Sequence, residues 1–352
     1  MADKASQNVR QVLTDLYARQ SAGLLVGGDK AMIPFARYRL HCRTIDALVL
    51  PRYAGSTWRG AFGHALKRTV CVTHLPDCRK CLLWRHCPYS YLFETPPPQG
   101  TAMLRKYPAA PHPFLIHPEA TNGTRCGAGE SLSLDLTLIG RANAHLAYIL
   151  HALHETGMRG IGRGRGRFAL EAVDQFHFSQ GWREIYSPEG TLAAHPPQAV
   201  GIPPAPVSSC TLRFITPLRV THQEQLMGED GFSFRGFLAA LLRRLSLLSY
   251  FHVGEELVAD FRDLLAQAED VHPVATELSW YDWERYSNRQ KTAMRMGGLV
   301  GQATFSGKDL APFWPWLWVG QAVHVGKGTV MGLGGYRIEA EGLPNAFSLG
   351  ID

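Results

Sequence analysis

The sequence predicts an α+β protein of two tandem ferredoxin-like units, each ordered strand, helix, strand, strand, helix, strand, with a small cysteine-rich metal-binding insertion in the first. Three observations predict it. The start of a helix recurs: Thr57-Trp58-Arg59-Gly60 corresponds to Ser233-Phe234-Arg235-Gly236, and Leu66-Lys67-Arg68 to Leu242-Arg243-Arg244 in the same register. A glycine-rich run closes each half, Gly164 to Leu170 in the first and Gly332 to Ile338 in the second. Four cysteines crowd between Cys71 and Cys87.

Residues 1–30 form an N-terminal extension in which Val9, Val12, Leu13 and Leu16 recur at helical spacing, predicting an amphipathic helix over 8–20. The first domain, 31–186, opens with extended chain from Ile33 to Leu50. Ser56 is then placed to cap a helix carrying Trp58, Phe62, Leu66 and Val70 on one face. The alternation from Ser131 to Leu138 predicts a strand, and Leu146, Ile149, Leu150 and Leu153 predict a helix over 142–156 before the glycine run and a last strand. The proline-rich stretch 187–207 reads as a linker. The second domain, 208–352, repeats the order. It has a strand from Cys210 to Val220, a helix from Ser233 to Tyr250, strands in Thr276 to Tyr286 and Gly298 to Phe305, a tryptophan-rich helix near 310–321, and a closing glycine-rich run.

A chain of 352 residues is long enough for two cores, and 45% hydrophobic residues with 19% charged is a globular composition. The formal charge of +6, beside fifteen histidines, biases partners toward a polyanion. No segment runs eighteen apolar residues, and the start lacks a signal-peptide pattern, so a cytoplasmic protein with no membrane partner is expected. Seven cysteines, an odd number, suit a reduced protein better than a disulfide framework.

Chemistry concentrates in the glycine-rich runs and the cysteines. From Gly157 to Gly166 five glycines alternate with Arg159, Arg163 and Arg165. Glycine lets backbone N–H groups approach a phosphate, and guanidinium forks pair with one, so Gly162, Arg163, Gly164 and Arg165 are expected to bind RNA backbone. The second run, from His324 through Lys327, Gly328, Gly332 and Gly334, is not a Walker loop, because Lys327 is followed by glycine and no strand-to-helix context fits. Cys78 and Cys81 form a close pair flanked by Cys71 and Cys87 within an insertion over 71–94, the spacing of a structural zinc site in which His74 or His86 can replace a cysteine, with an iron–sulfur cluster as the alternative. No carboxylate constellation points to a metal-dependent nuclease, since Asp282 and Glu284 beside Trp283 read as strand residues.

The stretch Gly55-Ser56-Thr57-Trp58-Arg59-Gly60-Ala61-Phe62-Gly63, the segment Cys87-Pro88-Tyr89-Ser90-Tyr91-Leu92-Phe93-Glu94 and the closing glycine-rich run together resemble the CRISPR precursor-RNA-processing endoribonucleases of the RAMP superfamily. The resemblance spans nearly the whole chain. It implies tandem ferredoxin-like (RRM-like) domains that bind the RNA repeat. It also implies cleavage by attack of a ribose 2′-hydroxyl on the adjacent phosphate, leaving a 2′,3′-cyclic phosphate and a 5′-hydroxyl without a catalytic metal. No direct DNA partner is expected. Non-catalytic subunits of CRISPR effector complexes share such loops, so an RNA-binding subunit is the alternative.

In that family the catalytic histidine, where there is one, lies around the first strand and first helix, which offers His41 and His64 here. His64 is preferred. It stands one turn from Arg68 and three residues from Lys67, and its repeat counterpart is Ala240, so packing common to both halves does not require it. His41 shares a strand face with Arg39 and Arg43, while Tyr53 and Arg52 are candidate assistants. Arg59, Arg68 and His324 complete the expected RNA-contacting set.

Overall fold

The computed structural model describes residues 33–343 apart from 99, 102, 104–108, 223 and 288–291, so the helix expected over 8–20 lies outside the described residues. Two antiparallel sheets organise the chain. The first contains Phe35–Thr44 (β1), Phe114–His117 (β2), Ser131–Ile139 (β3), Phe168–His177 (β4) and Gly181–Tyr186 (β5), in the order β2-β3-β1-β4-β5. The second contains Ser209–Leu218 (β6), Ala275–Tyr281 (β7), Gly298–Ser306 (β8) and Tyr336–Glu339 (β9), in the order β7-β8-β6-β9. The first strand of each half is therefore flanked by its third and fourth, the same permutation twice.

Strand periodicity decides which residues meet the core. Along β1, Ala36, Tyr38, Leu40 and Cys42 are buried among Trp58, Phe62 and Leu66 of the helix Gly55–Val70 (α1) and Ile149, Leu150 and Leu153 of Leu146–Arg159 (α2). Arg39, His41 and Arg43 alternate with them and face the other way. Phe62, 1% exposed, packs edge-on against Phe93 and Phe114, and burial of this kind stabilises by about 1.5–3 kcal/mol per large side chain.

The two repeated helices begin differently. In the second half Ser233 caps Phe234–Leu248 (α3), accepting the Gly236 N–H at 3.1 Å. In the first half Ser56 is not the cap. The helix starts two residues earlier than a Ser56 cap would set it, at Gly55, with no side chain capping it from the N-cap Ala54, whose own N–H donates to Asn122 Oδ1 at 2.7 Å. The early start fits the crowding there, since a Cβ on Gly55 would collide with the Met331 carbonyl of the second half.

The second half's last helix, Trp314–Val323 (α4), holds the proline-rich stretch down. Trp314 and Trp318 donate their indole N–H groups to the carbonyls of Pro203 and Gly201, at 2.7 and 2.9 Å. Buried Arg244 of α3 donates Nε–H to the Val323 carbonyl at 2.7 Å, closing the end of α4. Between β7 and β8 a hairpin, Glu284–Ser287 with Thr292–Arg295, brings Trp283 onto Tyr53 with ring centroids 4.4 Å apart. No helix among the described residues is long and apolar enough to cross a membrane.

Candidate nucleic-acid interface

The first glycine-rich bend, between α2 and β4, is fixed by backbone and decorated by charge. Gly160, Gly162 and Gly164 have φ of 76°, 72° and 83°, a left-handed region that favours glycine, and Arg165 joins them at 54°. Ile161 N–H donates to the Gly166 carbonyl at 3.0 Å and Arg163 N–H to the Val49 carbonyl at 2.9 Å. A Cβ on Gly162 or Gly166 would strike the Val49 or Ala47 carbonyl, so the bend is pressed onto the segment after β1. Arg163, Gly164 and Arg165 are left exposed, and neither arginine side chain has an ion pair or hydrogen bond among the described residues. Arg167, by contrast, is tied to Asp46 at 2.6 Å.

The neighbouring helix surface continues this basic ground. Arg159 ends α2, 3.8 Å from Glu155, and stands near Arg68 of α1. Partial burial first, and the Arg159 charge second, hold Arg68 below the usual guanidinium range. His64 is exposed on α1 with no hydrogen-bond partner among the described residues. Two expected members turn elsewhere: Lys67 Nζ sits 5.5 Å over the Tyr89 ring, and the Arg59 guanidinium 5.0 Å over that of Phe93.

The second bend lies inside the protein. His324, 3% exposed, lies within 3.1 Å of the Leu333 carbonyl through Nδ1, and burial drives its pKa down to about 3. A Cβ on Gly332 would meet Pro118 and the Ile116 carbonyl of the first half, one on Gly334 the Val325 backbone, and one on Gly328 the Leu333 side chain. Tyr53, 5% exposed, donates its hydroxyl to the Met331 carbonyl at 3.0 Å across the two halves. His324, Gly332 and Tyr53 therefore stand where the two halves meet, Gly328 and Gly334 pack within the second half, and none of the five is an exposed residue. Lys327 alone of that group has an exposed side chain.

His41 does share its sheet face with Arg39 and Arg43, and each of the three meets an acid that the sequence reading did not single out. His41 Nε2 is 2.8 Å from Asp174 Oδ2, Arg39 binds Asp135 with two contacts of 2.8 and 2.9 Å, and Arg43 reaches Glu171 at 2.6 Å. The acids come from β3 and β4, so only strand register pairs them: Arg39 stands opposite Asp135 and Asp174. This face is largely neutralised from within.

The four-cysteine zinc set does not assemble. Among the described residues no three His, Cys, Asp or Glu side chains come together as a metal site. Cys71 falls at the end of α1, Cys78 and Cys81 flank a short 3-10 turn, and Cys87 follows a further turn. Cys81 Sγ lies 3.3 Å from Thr73 Oγ1, and burial raises the Cys78 thiol, which stands near Lys67 and Cys87.

Comparison with known proteins agrees with this architecture. Residues 33–198 match the AF_1859_N family model, an N-terminal domain, and residues 212–336 match the model of the CRISPR-associated endoribonuclease Cas6. An uncharacterized protein of Archaeoglobus fulgidus is 23% identical over 296 residues, 83% of this chain and 93% of that protein. The fold resembles a product complex of Thermus thermophilus Cas6 with a TM-score of 0.50 at 18% identity, covering 87% of this chain and 99% of that one. It also resembles a partial Cas6-RT-Cas1–Cas2 complex with a TM-score of 0.50 at 13% identity, covering 88% of this chain but 46% of the longer one. The two antiparallel sheets of one strand order give this chain the fold of those Cas6 structures, and its second half is similar to the Cas6 family model.

Proposed function

We propose that this protein is a cytoplasmic endoribonuclease that cleaves CRISPR precursor RNA within the repeat, using tandem ferredoxin-like domains. The single observation that carries the reading is the pair of unengaged, exposed guanidiniums, Arg163 and Arg165, on a backbone-fixed bend in a chain whose second half matches the Cas6 model. The bend and the adjoining Arg68 and Arg159 hold the ribose-phosphate chain. His64, on the same helical layer, moves the protons of an internal transesterification: it takes the 2′-hydroxyl proton or supplies one to the 5′-oxygen. Nearby guanidiniums offset charge on the crowded phosphorane. The chemistry needs no metal in any step, and the products carry a 2′,3′-cyclic phosphate and a 5′-hydroxyl.

One observation favours a second reading, a non-catalytic RNA-binding subunit of a CRISPR effector complex. Tyr53 is buried and Lys67 lies on an aromatic ring, so His64 has neither expected assistant beside it. His41 has an orienting carboxylate in Asp174, but on the sheet face where acids already meet the cations. Incubating the protein with repeat RNA in excess EDTA separates the readings. Cleavage to a cyclic-phosphate end supports the nuclease, tight binding without scission supports the subunit, and absence of both removes RNA from the account.

A further inference from the structure

Where the outer faces of the two sheets meet lies a partly open cavity of about 20 Å³, room for one water-sized particle. Arg37 of β1 and Arg337 of β9 enter it from opposite halves, and His117 and His324, edge to face with ring centroids 5.1 Å apart, close one wall. None of its lining residues is acidic.

Arg37 is 5% exposed, yet its Nε and Nη2 have no hydrogen-bond partner, and the Nε of Arg337 is likewise buried without one. A buried guanidinium with unmade hydrogen bonds is costly. The nearby carboxylates supply charge but no hydrogen bond. Asp135 gives both oxygens to Arg39 and stands 3.9 Å from Arg37 Nη2, beyond hydrogen-bonding reach. Glu119 lies close enough to interact with both arginines, but its own oxygens are buried without donors and burial raises its pKa to about 7, so near neutrality it is only partly charged. Two cations thus face a small chamber with too little negative charge around it.

We infer that this chamber between the sheets binds a single monatomic anion, chloride in ordinary solution, that bridges Arg37 and Arg337 and so joins the two halves. The volume is too small for a phosphate group, which separates this site from the RNA-facing bend. The anion supplies the acceptor that both Nε–H groups lack.

The test uses the whole chain without RNA. Crystals soaked in sodium bromide are expected to show an anomalous bromine peak inside the cavity. Thermal unfolding at constant ionic strength is expected to occur a few degrees higher in sodium chloride than in sodium gluconate, saturating with concentration, because an anion bound only by the folded state raises the midpoint. Arg337→Gln should remove the chloride-specific rise, and so should Arg37→Gln; should the deeply buried Arg37→Gln fail to fold, Arg337→Gln and the bromide map carry the test. Equal midpoints of the wild type in the two salts, or bromide peaks only on the outer surface, overturn the proposal.

Discussion

The two glycine-rich bends end equivalent halves of the chain and do opposite work. In the first, glycines at 162 and 166 press one side of the turn onto the segment after β1 and leave Arg163 and Arg165 in solvent. In the second, Gly332 and Gly334 let the backbone reach Pro118, Ile116 and Val325, and the residues around them are buried. Absence of a Cβ permits close approach, and what lies beside the bend is set by the neighbouring elements: solvent in one case, and in the other the second half's own backbone and, at Gly332, the first half. Glycine periodicity therefore marks a tight backbone and says nothing by itself about a phosphate.

The contrast is breakable by substitution. The largest effect is expected from His64→Ala, which should lower cleavage by about 100-fold or more while RNA affinity stays within about twofold. Full turnover by that variant, read in the EDTA assay, would move the chemistry to the His41–Asp174 pair. Next comes Gly334→Ala, where positive φ and a collision with the Val325 backbone should cost about 3 kcal/mol or more in a urea titration, RNA present or not. Wild-type stability there would refute the close backbone approach in the second bend.

Acid should also discriminate. Burial lowers His324 and His252 to about 3 and His112 to about 4, each below its unfolded value near 6.5. Their contribution is therefore complete above pH 6.5 and is lost as pH falls from there through 4 toward 3, at about 1 kcal/mol per unit for each group. His252 links the halves, with Nε2 2.6 Å from the Pro111 carbonyl and Nδ1 3.0 Å from the Tyr91 hydroxyl. His252→Gln should flatten the pH slope of unfolding measured between pH 7 and 5, and an unchanged slope would clear this histidine of the acid response.

Smaller effects belong to the exposed bend. Replacing Arg163 and Arg165 together by alanine should weaken RNA binding about tenfold and reduce the slope of log affinity against log salt by about 1.4, at 0.7 per phosphate, with the unfolding midpoint unmoved. The smallest change is Gly164→Ala. Its φ of 83° disfavours a side chain but nothing lies within 4 Å of the added Cβ, so about 1 kcal/mol is expected, against the larger loss at Gly334.

Much of the framework was legible because its signals are local. The alternation in β1 placed Tyr38 and Leu40 inward and Arg39, His41 and Arg43 on the opposite face, and the repeat around Arg59 and Arg235 located α1 and α3. β5 went unseen, since Gly181–Tyr186 lacks a clean apolar alternation and adds to the sheet edge through backbone pairing with β4. The cap at Ser56 was misplaced because Asn122, far along the chain, satisfies the Ala54 N–H. Cysteine spacing suggested a zinc site, but spacing measures separation along the chain and not convergence of sulfurs, and among the described residues no three candidate ligands gather.

The sequence by itself determined the order of elements, the inward faces of the strands and helices, and the placing of arginines among glycines, because each depends on residues a few positions apart and on backbone periodicity. Tertiary structure alone decided that one bend is exposed and the other buried, that Tyr53 is committed to the Met331 carbonyl, that Asp135 and Asp174 pair with Arg39 and His41, and that Arg37 and Arg337 line one cavity. Those outcomes join residues up to 300 positions apart, and only the packing of one half against the other sets which polar groups lose water and which partners they find.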